Sequence, residues 1–215
     1  MATYLQLVNA VLARLRESSV ATVATTTYST LVGKYVNDAK RQVEDAWNWD
    51  ILSQVLTVTT SASTSTYTVT SSGLEPKDAV INDTTNRVQL RNVPIQWIID
   101  QQQLTTVSTG IPTYYAWNGH DGTDSKIELY PTPAGIYTLK VNCYVPQAEL
   151  SSDGTTLSVP YQAVEAGAYA RALVERGEDG GLASSEAYLL FKTILADKIA
   201  QEQGRFPEYA VFVAN

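Results

Sequence analysis

The hydrophobic pattern changes its period twice along the chain, and this limits the folds available to it. Apolar residues recur at helical spacing over residues 3–17 and again over 28–49. Within residues 55–70, ten of the 16 residues are Ser or Thr, and apolar residues alternate with polar ones as in strands. Helical spacing returns after Pro160. Helices that flank a run of strands predict an α+β fold rather than an alternating parallel sheet.

The simplest packing of this order is a four-helix bundle made from the N- and C-terminal helix pairs, with an antiparallel β lobe inserted between them. The expected parts are a helix pair at 1–52, the lobe at 53–158, a helix pair at 159–204 and an extended tail at 205–215. Residues 136–145 give the clearest strand, because its apolar residues alternate and predict one buried face.

Local signals place the ends and faces of the helices. Thr3 is expected to cap the first helix, and Ser184 or Ser185 the fourth. Helical spacing places Trp47 on the inward face of the second helix, and it places Leu190 on the apolar stripe of the fourth.

The composition argues against most enzyme classes. The chain of 215 residues has one His, one Cys and one Met, too few for a metal cluster, a disulfide framework or His-centred catalysis. With 15 Lys and Arg against 22 Asp and Glu, the net charge of −7 repels nucleic acid on average. No apolar run is long enough for a membrane helix, and no secretory signal is evident. We predict no enzymatic activity, no metal, no cofactor and no membrane partner, and synthesis in the cytoplasm.

Three polar or reactive features of the sequence are candidate catalytic or metal-binding sites. His120 lies in an Asn-Gly-His-Asp-Gly stretch, which is typical of a polar hairpin loop, although a His/Asp metal or acid–base site is the alternative. Cys143 falls on the apolar side of its strand, where a free Cys behaves as a small hydrophobe rather than a nucleophile. Glu178 and Asp179 lie between glycines and are expected to face solvent or a neighbouring subunit, rather than to form a catalytic carboxylate pair.

Aromatic residues are frequent in the predicted β lobe, and two functions fit them. Packing in the core or at an interface is one reading. Stacking on sugar rings is the other, which would make the lobe a carbohydrate-binding module. The residues are Trp97, Tyr114, Tyr115, Trp117, Tyr130 and Tyr144.

Two features are not explained by a monomer. One is the helix after Pro160, whose small residues allow close approach of another helix, either within the bundle or from a neighbouring subunit. The interface residues predicted here are Ala163, Gly167, Ala170, Arg171, Glu178 and Asp179. The other is the apolar tail, which either folds back on its own bundle or docks on a partner.

Several blocks of sequence resemble head-to-tail adaptor (connector) proteins of tailed bacteriophages, particularly the short-tailed type, and the resemblance spans almost the whole chain. The most specific blocks are VNDAKRQVEDAWNW at 36–49 and ERGEDGG at 175–181. The others are YLQLVN at 4–9, LARLRE at 12–17, LYPTP at 129–133 and AYARA at 168–172.

This resemblance implies a virion protein at the head–tail junction, below the portal vertex. It implies a homo-oligomeric ring of twelve subunits that binds the portal protein and a tail tube or nozzle protein, and that lines a channel for genomic DNA. Within a phage, the alternative function is that of a tail-spike or fibre component whose β lobe binds carbohydrate. The resemblance to adaptors also implies that the tail contacts the portal. The tail residues concerned are Phe206, Pro207, Tyr209, Val211, Phe212 and Val213.

Overall fold

The computed structural model describes residues 1–104, 106–177 and 182–205. The chain divides into two compact units. One is helical and combines Met1–Ile51 with the chain from Ala148 onward. The other, Leu52–Gln147, carries the sheets.

Five helices and ten strands are present in the described residues. The helices are α1 (Tyr4–Arg14), α2 (Thr27–Ala46), α3 (Ile95–Gln103), α4 (Tyr161–Arg176) and α5 (Leu182–Gln203), with a 3-10 helix at Asp50–Leu52. The strands are β1 (Ser53–Thr59), β2 (Thr66–Val69), β3 (Lys77–Asp83), β4 (Val88–Gln89), β5 (Arg91–Asn92), β6 (Thr109–Gly110), β7 (Tyr114–His120), β8 (Ser125–Tyr130), β9 (Thr132–Pro133) and β10 (Thr138–Tyr144).

Side-chain caps fix the start of the first helix. The Thr3 hydroxyl accepts the N–H of Gln6, and the Gln6 side chain accepts the N–H of Thr3, so the predicted cap of α1 is confirmed. The predicted cap of the fourth helix is wrong, because α5 already includes Ser184 and Ser185. At the end of α4, Gly177 takes the left-handed conformation (φ 64°) that a helix C-terminus favours.

In the helical unit, α4 packs against both α2 and α5. The helices lie close together at Gly167, where an added Cβ would lie 3.1 Å from the Ala39 Cβ and 3.1 Å from a ring carbon of Phe191. The small residue therefore lets three helices meet. Leu150 joins the unit through Asn37, whose side-chain amide both donates to the Leu150 carbonyl and accepts its N–H.

The positions of the two tryptophans that follow α2 differ from the sequence expectation. The helix α2 ends at Ala46, so Trp47 lies at its C-cap and is only half-buried. Trp49 is the buried residue, 2% exposed, and its indole N–H donates to the Val43 carbonyl at 2.7 Å. The placement of Trp47 on the inward helical face is therefore wrong, because the helix stops one residue before it.

The sheet unit contains two four-stranded sheets and a two-stranded ladder. Their strand orders are β1-β10-β3-β4, β2-β8-β7-β5 and β6-β9. In the first sheet, Leu56 pairs with Val141 and Val141 with Ile81, so the apolar residues of the three strands align on one face. The predicted alternation in β10 is confirmed by its burial pattern. The main core of the unit includes Ile81, Ile127 and Leu139.

The helix α3 covers part of the second sheet. Ile98 is fully buried, and the Trp97 ring lies 4.9 Å from the Tyr114 ring and 5.5 Å from the Tyr130 ring. Because β8 has Ile127 and Leu129 in the main core, the side chains of the alternate residues, Glu128 among them, belong to the other face.

The expected α+β fold, a four-helix bundle with a single inserted antiparallel lobe, is therefore wrong. In the described residues, five helices accompany three sheets, and two of the strand pairs, β5 with β7 and β6 with β9, are parallel. The fourth helix of the supposed bundle, α5, packs chiefly on α4 and leaves large apolar side chains exposed. The fifth helix, α3, belongs to the sheet unit. Apart from Arg205, the expected tail lies outside the described residues.

Candidate interaction surfaces

The helix α5 carries apolar residues on two sides. Ala187 and Phe191 are buried, whereas Leu182 is 75% and Leu189 63% exposed. Leu182 and Leu189 are seven residues apart and so lie on one face of the helix. We give the name α5 surface to the exposed large apolar residues of α5 together with Val174 at the end of α4: Val174, Leu182, Tyr188, Leu189 and Leu190. A helix with apolar residues on both sides is typical of one that is covered on both sides.

A groove of about 470 Å³ lies beside the α5 surface and is lined by Val174 and Tyr188 together with Arg171. The Arg171 guanidinium donates to the Gly167 carbonyl at 3.1 Å and to the Gln42 side chain at 2.7 Å. Both acceptors are neutral, so these contacts do not neutralise the positive charge of Arg171. The guanidinium group can therefore pair with an acidic partner at the groove.

The other predicted interface residues have different positions. Ala163, Gly167 and Ala170 are buried in the packing of their own chain, so their small size is explained without a second subunit. Their assignment to a subunit interface stays an untested prediction. Glu178 and Asp179 lie outside the described residues, as do the predicted portal-binding residues Phe206, Pro207, Tyr209, Val211, Phe212 and Val213.

A second concave site, which we call the end cleft, lies where α4 begins and α5 ends. It measures about 290 Å³ and includes Trp49, Ile51 and Tyr161. Near it, the Asp50 N–H donates to the Glu202 carboxylate at 3.1 Å, and this carboxylate also lies 3.2 Å from the Arg205 guanidinium. The cleft thus has aromatic and aliphatic walls and a charged rim, a composition that suits an amphipathic segment.

Several arginines of the helical unit are paired with carboxylates of their own chain, Arg14 and Arg176 among them. Arg14 lies 2.8 Å from the Glu165 carboxylate. Arg176 lies 2.5 Å from the Glu17 carboxylate, and it also donates to the Tyr28 hydroxyl at 2.9 Å. These pairings lower the positive field that the two guanidinium groups would present to a phosphate.

Glu128 is one of three buried carboxylates in the described part of the sheet unit, with Asp83 and Asp124. It accepts hydrogen bonds from Thr66 at 2.6 Å, Gln102 at 2.9 Å and Asn118 at 3.0 Å. Burial alone would raise the pKa of Glu128, but these bonds, with one from Ser65, lower the pKa below its ordinary value. Because its donors come from β2, α3 and β7, the carboxylate ties α3 to the second sheet.

His120 and Cys143 fit the structural interpretations given to them. His120 ends β7, and its ring lies 3.7 Å from the exposed Glu75 carboxylate. The neighbouring Asp124 carboxylate accepts the N–H groups of Ser71 and Gly73, which lowers its pKa and fixes a loop. Cys143 is buried, and burial raises the pKa of its thiol, the opposite of what an activated nucleophile needs.

Two classes of site find no support in the part of the chain that the structure describes. There, His, Cys, Asp and Glu residues form no group of three or more that could hold a metal ion. The helices described are also too short or too polar for any of them to span a bilayer.

The aromatic residues of the sheet unit pack against each other. The Trp97 ring of α3 contacts the rings of Tyr114 and Tyr130, and the Tyr115 hydroxyl donates to the Ala79 carbonyl. Tyr115 is buried, whereas Trp97, Tyr114 and Tyr130 are half-buried. Packing within the unit accounts for these four residues, so their contacts do not favour the alternative of sugar stacking.

Comparison with known families identifies the family to which the chain belongs. A family model described as SU10 adaptor protein matches residues 2–210. The chain belongs to this family. No curated protein matches the chain. Membership confirms the resemblance to phage head-to-tail adaptors, and it makes the chain a structural component of a phage particle. The restriction to short-tailed phages stays a prediction.

For an adaptor, exposed surfaces carry the function, and sequence reasoning missed the α5 surface. The helical spacing predicts Leu190 on the inward stripe of its helix, but in the structure its side chain is exposed. Leu182 and Leu189 fall outside that stripe in the sequence. Their seven-residue spacing was the signal that a second apolar face exists.

Proposed function

We propose that this adaptor works as a homo-oligomeric, twelve-fold ring between the portal protein and the tail tube or nozzle protein, with genomic DNA passing through its channel. Membership in the adaptor family carries the proposal. An adaptor must bind a neighbour on each side, and a closed ring also uses two different faces of each subunit.

The α5 surface supports the subunit contact. Exposed leucines on a helix that is already packed on its other side are expected to be covered in the assembled particle. Arg171 in the adjacent groove, with Glu178 and Asp179 in the α4–α5 connection, gives this contact both signs of charge. Opposite charges on neighbouring subunits would fix the register of the ring.

The C-terminal residues are proposed to bind the portal. Residues 206–213 combine large apolar side chains with a single charge, that of Glu208. A terminal segment of this composition is suited to insertion into a groove or sheet edge of a partner.

The net charge supports passage of DNA rather than binding of DNA. Each phosphate that a Lys or Arg neutralises adds affinity, so a channel that lets DNA move needs few available cations. The net charge of −7 and the internal pairing of Arg14 and Arg176 agree with this requirement. In this proposal, the protein has no enzymatic activity. It is made in the host cytoplasm and is located at the portal vertex of the virion.

Native mass spectrometry with and without portal rings tests the assembly. The full chain is expected to form a cyclic oligomer, alone or on the portal. The variant Leu189→Glu places a charge on the α5 surface and should weaken assembly at least tenfold. Leu104→Glu is the matched control, because Leu104 is also exposed but belongs to the sheet unit. Equal assembly of both variants would refute the α5 surface as a subunit contact.

Deleting residues 205–215 tests the portal contact in the same measurement. The truncated chain should keep its fold and bind portal rings more weakly than the full chain. Unchanged affinity would refute the assignment of the tail, and a chain that stays monomeric with and without the portal would refute the ring itself.

A further inference from the structure

The end cleft of the helical unit is not used by the proposed ring contact. Its apolar lining includes Trp49, Ile51, Val159 and Tyr161, all of which belong to the same unit. Ile51 and Tyr161 are exposed although they are large and apolar. Besides the α5 surface, the chain therefore has this apolar cleft and the apolar sequence that follows α5.

We propose that the end cleft binds the chain's own C-terminal segment, residues 206–215, before assembly. The segment is thereby covered until a partner takes it. Release of the segment by the portal rests on the proposed function. Binding of the segment in the cleft does not depend on that function.

Chain connectivity is the first argument. Arg205 lines the cleft, and the segment is joined to it directly in sequence. An extended chain spans up to about 3.3 Å per residue, which brings residues 206–209 within about 13 Å of that point. A short tether also gives a millimolar effective concentration, which favours the chain's own segment over one from a second copy.

Chemical complementarity is the second argument. The segment has five large apolar residues, Phe206, Tyr209, Val211, Phe212 and Val213, and the cleft offers aromatic and aliphatic walls. The single charge of the segment, Glu208, has a cation of opposite sign at the cleft in Lys198. Lys198 is half-buried, and its ammonium group donates to the neutral Gln201 side chain at 3.2 Å in a contact that is open to solvent.

Disulfide formation between introduced cysteines tests this contact in the full-length protein. The background variant is Cys143→Ala, which removes the native thiol. The test pair adds Ser158→Cys in the cleft and Ala210→Cys in the segment, so that all large apolar residues are kept. The control pair combines Ala210→Cys with Leu182→Cys, at the opposite end of α5, about 32 Å from Gln203 along the helix axis.

Under mild oxidation, the test pair should form an intramolecular disulfide at least tenfold faster than the control pair. A second control keeps the test pair and replaces Phe206, Tyr209 and Phe212 by Ser. This variant has the same tether and should react as slowly as the Leu182 pair. Circular dichroism establishes that each variant retains its helices.

Equal rates in the test and control pairs would overturn the proposal. A disulfide that is mainly intermolecular would also overturn it, because the occupant would then be a second copy. Adding portal rings should slow the test pair at least tenfold. If the cleft is occupied but portal rings leave the rate unchanged, the binding of the segment stands and its release by the portal is refuted.

Discussion

Replacing Trp49 should be far more damaging than replacing Trp47, although the two residues are neighbours in sequence. Trp49 is 2% exposed, and its indole N–H donates to the Val43 carbonyl. Val43 is among the last four residues of α2, whose carbonyls have no partner within the helix. The Trp49 side chain therefore both fills the core and satisfies the end of α2.

The expected cost follows from these two roles. Truncating a buried aromatic side chain to Ala costs about 3–5 kcal/mol. Loss of the hydrogen bond to Val43 adds about 0.5–1.5 kcal/mol. Trp49→Ala should therefore lower the free energy of unfolding by about 4–6 kcal/mol, a large part of the 5–15 kcal/mol that is typical of a domain. Trp49→Phe keeps most of the ring and should cost about 1–2 kcal/mol.

Trp47 provides the matched control. It is half-buried, and its indole nitrogen is buried with no hydrogen-bond partner among the described residues. An unpaired buried donor is unfavourable, so removing it with Trp47→Phe offsets the loss of ring area. We expect this variant to lose no more than about 1 kcal/mol.

Urea denaturation followed by circular dichroism at the helical band measures both effects. With a slope of about 2 kcal/mol per M, Trp49→Ala should move the midpoint down by about 2–3 M. A cost for Trp47→Phe equal to or greater than that for Trp49→Phe would refute the reasoning. It would show that Trp47, not Trp49, supports the core.

Two further predictions concern other buried positions. Gly33→Ala should destabilise the helical unit, because the added Cβ would lie 2.3 Å from the Tyr4 hydroxyl and 2.9 Å from a Val23 methyl. This overpacking costs about 1–3 kcal/mol and exceeds the gain of about 1 kcal/mol in helix propensity; a thermal melt showing stabilisation would contradict it. Glu128 has a lowered pKa, so its contribution to stability is present above the ordinary pKa of Glu and is lost as the pH falls through the lower, folded-state value. Glu128→Gln should flatten the dependence of the urea midpoint on pH between neutral and acid conditions, and an unchanged slope would count against the assigned role.

The sequence predicted the elements of the fold better than their arrangement. The helical period located α2, and alternation located β10, because each pattern is set by the local geometry of one element. The partner of each face is a property of the tertiary structure, which periodicity does not encode. The fourth helix was therefore assigned to a bundle, whereas its partner in the chain is chiefly α4.

The candidate surfaces were predictable only in part, for a similar reason. Small residues such as Gly167 indicate close packing, but the sequence does not show whether the neighbour belongs to the same chain. The structure gives Ala39 and Phe191 as neighbours. Exposed leucines are the more informative signal, because several large apolar residues exposed on one helix are typical of an interaction surface. Exposed leucines can be recognised from the sequence only after the inward-facing residues of the helix have been identified correctly.

The α5 surface and the end cleft should act independently, because they lie at different ends of one rigid helix. Leu189 and Gln201 are separated by about 18 Å along the helix axis, beyond the range over which substitutions normally interact. Combining Leu189→Glu with deletion of residues 205–215 should therefore give additive losses of free energy, measured as portal-ring affinity. A strongly non-additive result would mean that the subunit contact and the segment share one binding event, and the assignment of separate roles to the two ends of α5 would then have to be abandoned.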